Sequence, residues 1–250
     1  MVRAALMQIA HPKIAQGVAD FSQFRRKPLQ RFLNTHRTAN ELVFGYARTA
    51  INAAMRLHAV HSRVNSNGAA SDLQLSYSAA DPKLMLWVYA TLVDSAILGY
   101  RALLPDLTRQ QWERCYQESK LLAQLFSIDE QDLPPTLPDL QAWVQDMLLS
   151  DVITVSPTSR LLARSLLSAR WYSWLAAPSI YVLAAGFLPP KLRDAYGFKW
   201  NPPVRAAFRS YISLARVACR ALPRPLRMEP AARRAEKRLR ANNPASAPQN

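Results

Sequence analysis

The chain has 250 residues, half of them hydrophobic, and a formal net charge of +15. That length and composition can bury a substantial core, which excludes a mainly disordered chain. Only 6 glycines, with abundant alanine and leucine and no runs of alternating β-branched residues, exclude a strand-rich fold and predict an all-α class.

A first helix is expected from Val2 to Ala10, ending where His11 precedes Pro12, because a residue before proline avoids the α region. A loop carrying Asp20, Ser22 and Arg25 to Pro28 should follow. Leu29 to Val64 reads as one long or broken helix, with Phe32, Leu42, Val43, Tyr46, Ile51 and Met55 at helical spacing. Asp81 caps a helix that begins with Pro82 and runs through Leu84, Trp87, Val88, Leu92 and Ile97. Further helices are expected from Thr108 through Leu121, from Leu140 to Leu149 and from Ser159 to Leu167.

The uncharged stretch from Trp171 to Pro190 is close to the roughly 20 apolar residues that span a bilayer. Pro178 and the serines leave three readings open: a buried core helix, a membrane-surface hairpin or a span. Residues 1–202 form the expected helical domain and 203–250 a basic C-terminal helix with a partly disordered tail. Between Arg205 and Arg240 there are eleven Lys and Arg residues against Glu229 and Glu236, so a charge of +9 sits in this arm. Such an arm suits an anionic membrane surface. No nucleic-acid recognition motif accompanies it, so nucleic acid is not the expected partner.

Cys115 and Cys219 lack partners at zinc spacing and read as reduced core thiols. No cleavage site follows the short apolar start, which places the expected protein in the cytoplasm, peripheral to the inner face of a membrane. There is no G-x-S-x-G, phosphate loop or H-E-x-x-H, so hydrolase, nucleotide-binding and zincin chemistry find no support. His58 and His61 stand three apart on one helical face. That spacing permits a metal site without requiring one. Arg31 and Thr35 stand four apart, again on one face, and from spacing alone they read equally well as solvated side chains.

Several segments together resemble the MpaB and latex-clearing-protein family of haem-dependent oxygenases. RAALMQIAHPKIAQGVADFSQFRRKPLQRFLNT resembles its opening signature, LHAVHSRVN its histidine segment and YSAADPKLMLWVYATLVDS its central block. AAGFLPPKLRDAYGFKW resembles a later element, and the likeness runs over roughly residues 2–202.

The resemblance implies a helical fold enclosing haem b, with His61 as the iron ligand and His58 as second choice. It puts Arg31 and Thr35 near the haem, to hold a propionate or polarise dioxygen, and Trp87 and Tyr89 in the pocket wall. The implied activity uses dioxygen on a hydrophobic substrate, isoprenoid or lipid in class. The alternative is a non-catalytic, membrane-peripheral binding protein of the same fold. Phe21 and Tyr89 stand where the family often has histidines, and Asn34 where latex-clearing protein has a lysine.

Overall fold

The computed structural model describes residues 2–21, 28–64, 78–167 and 177–242. The expected all-α class holds: the described residues form helices and contain no β-strand. In chain order the first helices are α1 (Val2–Ile9), α2 (Pro12–Phe21), α3 (Pro28–Phe44), α4 (Ala47–His61) and α5 (Pro82–Leu103). They are followed by α6 (Arg109–Leu125), α7 (Leu137–Leu149), α8 (Pro157–Leu167), α9 (Ala177–Phe187) and α10 (Pro190–Tyr196). Last come α11 (Pro202–Ala221), the short α12 (Arg224–Arg227) and α13 (Pro230–Asn242).

The starts of α5 and α6 follow from their caps. The Asp81 carboxylate accepts from the Lys83 N–H at 2.9 Å, with Pro82 fitting the first turn. Thr108 and Gln111 form a reciprocal capping box at α6. Thr136 and Asp139 do the same for α7, so that helix begins at Leu137, ahead of the expected Leu140. The expected helix from Leu29 to Val64 is two helices, broken at Gly45 and Tyr46 and ending at His61. The loop expected around Asp20 is also corrected, since Asp20 lies within α2.

α5 is the centre of the core. Trp87, Tyr89 and Ala90 are fully buried on it, and it packs against α1, α6, α7 and α11. The Leu6 and Met7 carbonyls near the end of α1 accept from the Ala10 N–H and also from distant side chains. Trp87 Nε1 donates to Met7 O at 3.2 Å, and the Tyr196 hydroxyl donates to Leu6 O at 2.7 Å. Near the start of α1, Arg3 pairs with Asp94 at 2.6 Å and also donates to Ser95 Oγ and Phe187 O. Three helices are thereby pinned at one guanidinium. α3 and α4 pair with each other, and α13 packs on the outside of α3.

The cysteines are not core thiols: both are free, with Cys115 exposed and Cys219 half-buried. Cys115 stands beside Tyr116, off the stripe on which α6 buries Trp112, Tyr116 and Ala123. No described helix is long and apolar enough to cross a membrane. Within the uncharged stretch, α9 has only 11 residues, about 16 Å of helix against a hydrocarbon thickness of about 30 Å. It buries Val182, Ala184 and Ala185 and packs on α1, α8 and α11, as the core-helix reading expects. Residues 171–176 of that stretch, and the tail 243–250 expected to be partly disordered, lie outside the described residues.

Gly186 is where α9 and α11 meet: a Cβ there would collide with the ring of Phe208. That ring sits edge-on to Phe187 at 5.2 Å and near Trp200 at 5.7 Å, so it has little room to retreat. Alanine ordinarily improves a helix interior by about 1 kcal/mol over glycine, whereas overpacking costs about 1–3 kcal/mol. Gly186→Ala is therefore expected to destabilise by up to about 2 kcal/mol, lowering Tm by a few degrees in a thermal melt. A raised Tm would mean that propensity outweighs the clash.

Candidate functional site

The opening signature folds back on itself at His11. Its imidazole is buried, and Nδ1 accepts the Lys13 N–H at 3.3 Å, capping α2. Burial, assisted by the Lys13 charge, holds the His11 pKa below the ordinary histidine value and keeps the ring neutral. The turn aims one face of α2 at the ends of α4 and α5. Gln8 anchors the turn from α1, its Nε2 donating to Thr91 Oγ1 at 3.1 Å and to Val88 O.

Between these elements lies a cleft of about 240 Å³. One wall comes from α2 (Ile14, Gly17, Val18, Phe21), another from α5 (Leu84, Met85, Val88), and His61 closes the side at the end of α4. Just beyond His61, the Ala79 N–H donates to Val64 O at 2.8 Å, which brings the ends flanking residues 65–77 together beside the cleft. The lining is apolar apart from His61, Lys13 and Gln8. A much smaller crevice of about 30 Å³ adjoins it, lined by His58 together with His61, Met85 and Phe126. His61 is half-buried and shared by both cavities, whereas His58 is exposed and reaches only the smaller one.

The other expected site residues are distributed differently. Asn34 lines a polar groove of about 520 Å³ between α3 and α4, with Thr38, Glu41, Asn52 and Arg56. His58 and His61 lie on the far side of α4 from that groove, since His61 is nine residues, two and a half turns, from Asn52. Thr35 is exposed on α3 and lines neither cavity. Arg31 belongs to the first turn of α3, and its side chain lies outside the described residues. Only Gly45 and Tyr46 join α3 to α4, and the two helices pack on each other with Arg56 paired to Glu41, so α3 and α4 run antiparallel. The backbone of Arg31 therefore sits at the end of the pair that carries His58 and His61.

Trp87 and Tyr89 do not line the cleft. Trp87 is fully buried and packs near Trp143 at 6.1 Å, and the Tyr89 hydroxyl is 2.7 Å from Ser119 Oγ. Burial raises the Tyr89 pKa, so the phenol stays neutral. α5 is buried on several sides, and its face toward the cleft is the stripe of Leu84, Met85 and Val88. Sequence reasoning missed these three as well as Gln8, Lys13 and the α2 wall. All of them fall within the two segments quoted for the resemblance to the family's opening signature and central block.

Chemically, the cleft offers one imidazole in apolar surroundings. Among the described residues no group of three or more His, Cys, Asp or Glu side chains is placed to hold a metal ion. Any metal in the cleft would need most of its ligands from elsewhere, as a porphyrin provides.

Residues 1–217 match the family described as ER-bound oxygenase mpaB/B'/Rubber oxygenase, catalytic domain. The chain belongs to this oxygenase family. It is also similar to the uncharacterized protein Mb2261 of Mycobacterium bovis, 26% identical over 229 residues and 87% of each chain. The uncharacterized protein Rv2237 of Mycobacterium tuberculosis matches with the same identity and coverage. No solved structure matches significantly.

Part of what resembles the oxygenase family here holds the scaffold together. Arg193 caps the end of α9, donating to Ala185 O at 2.7 Å and Leu188 O at 2.9 Å while lying 4.2 Å from the Trp200 ring centre. Gly197, at φ 76°, ends α10 in the left-handed conformation that glycine adopts without strain. With the Tyr196 bond to α1, the later element of the resemblance is a clasp closing the core behind the cleft.

Proposed function

We propose that the protein is a haem-dependent oxygenase that uses dioxygen on a hydrophobic substrate, isoprenoid or lipid in class, with His61 ligating the iron of haem b. The observation that carries this reading is His61 in the wall of an apolar cleft whose facing wall is the family's opening signature.

The donor set fits such a group: one imidazole, walls of Val, Ile, Leu, Met and Phe, and a single cation. The described walls enclose about 240 Å³, somewhat below the roughly 300–1,000 Å³ of ligand pockets. Phe21 and Val64, at the cleft's edge, directly adjoin segments outside the described residues.

When bound, haem supplies the dioxygen chemistry itself. The chain's residues do the rest. His61 would hold the iron, the α2 and α5 walls exclude water and favour an apolar substrate, and Arg31, at the same end of the α3–α4 pair, is assigned hydrogen-bond donation to polar atoms beside the iron, whereas Thr35, exposed outside the cleft, is given no contact there. The test is a Soret band in protein purified with haem supplied. A colourless protein rejects the reading in favour of the haem-free, membrane-peripheral binding protein.

The basic arm supports a location at an anionic membrane surface, which belongs to the same proposal. Leu214 and Val217 on α11, Leu222 just after it and Leu226 on α12 are exposed, among six arginines from Arg205 to Arg227 and no carboxylate. Attraction to anionic headgroups is worth about 1 kcal/mol per basic residue at the surface and is screened beyond about 8 Å at physiological salt. The protein should therefore pellet with anionic vesicles at low salt and be released at 1 M salt. Release only by detergent would mean insertion, and no pelleting would mean that the arm does not bind membranes.

A further inference from the structure

We propose that Lys13 is an anion anchor, so that the ligand of the α2–α5 cleft presents a carboxylate to the Lys13 ammonium beside its apolar body. The inference rests on reading this cleft as a ligand site. It adds an element of recognition that neither the iron ligand nor the apolar walls provide.

Three observations carry it. Among the residues lining the cleft, Lys13 is the one with a permanent charge; the rest are apolar or neutral apart from the titratable His61. Lys13 is half-buried and forms no salt bridge among the described residues. The Asp81 carboxylate, close enough to act on the neighbouring His11, is occupied in capping α5. A half-buried lysine with no ion pair among the described residues, in a wall of Ile, Val and Phe, is complementary to an apolar molecule with one anionic end.

The backbone reinforces the placement. The Lys13 N–H is tied to His11 Nδ1, and the Ala15 N–H to His11 O at 3.0 Å, so the first turn of α2 is fixed by a buried ring. Lysine stems often lie along apolar surface with the head in water, and that ordinary behaviour predicts no ligand preference at all. The two accounts therefore differ in a measurable way.

Two carboxylates suit the site: a propionate of haem, or the head of a fatty acid. The experiment separates them. Wild type and Lys13→Met are titrated with haem and with haem dimethyl ester, followed by the Soret band. Both are also titrated, haem-free, with dodecanoate and methyl dodecanoate, followed by calorimetry.

The expected result is at least a roughly tenfold preference of wild type for the acid over its ester in one arm, since a hydrogen bond to a charged group is worth at least that factor. Lys13→Met should erase the preference while leaving the ester affinity unchanged. A preference in the haem arm identifies a propionate, and one in the dodecanoate arm identifies a fatty-acid head. Equal binding of acid and ester by wild type, a preference that survives Lys13→Met, or no binding in either arm overturns the proposal. Absence of a Soret band with haem in wild type removes the haem reading alone, because the dodecanoate arm still decides the role of Lys13.

Discussion

His61→Ala is expected to lose the Soret band, with haem affinity falling by more than about 100-fold. Outer-shell partners of a metal ligand typically account for 10–100-fold in affinity, and the ligand itself exceeds that. His61 is half-buried in the cleft wall at the end of α4, so a substituted side chain should disturb the cleft more than the fold. His36→Ala is the control: that ring lies on α3 facing α13, 3.8 Å from Glu229, and should leave the spectrum intact. His58→Ala should shift the band modestly, because His58 lines only the adjoining crevice. Loss of the band in the His58 variant, with retention in the His61 variant, would move the ligand to His58.

Trp87→Ala should produce the largest loss of stability, about 3–5 kcal/mol, through the cavity left by a fully buried ring. It also leaves Met7 O, one of the last carbonyls of α1, without the indole donor. Trp87→Phe separates the two roles. It keeps most of the packing against Trp143 but loses the hydrogen bond and leaves a small cavity, together about 1–3 kcal/mol, seen as a Tm lowered by several degrees. If Trp87 only packs the core, the phenylalanine variant binds haem as wild type does below its melting transition. A large fall in haem affinity with little change in Tm would return Trp87 to the cofactor wall.

The all-α class, the His11 and Pro12 break and the caps at Asp81 and Thr108 were legible in the sequence. Each rests on interactions within a few residues: proline sterics, a side chain reaching the N–H two or three positions on, and apolar periodicity. The recurring elements of the oxygenase family were legible too, because they are contiguous strings whose order and spacing carry the information.

What the sequence could not decide is which neighbour each helix face meets. Periodicity shows that α5 is apolar on several sides, but only packing turns Leu84, Met85 and Val88 to the cleft, Trp87 to α1 and Tyr89 to α6. Cys115 is apolar by type, yet it stands off the buried stripe and is exposed. Lys13 shows the point most clearly. In the string it is one basic residue of 32, and it becomes the lone permanent charge of an apolar cleft only because a buried imidazole two residues from it and a helix some 70 residues on fold against the same turn. Local chemistry determined the elements of this protein, and long-range contacts between them decided the site.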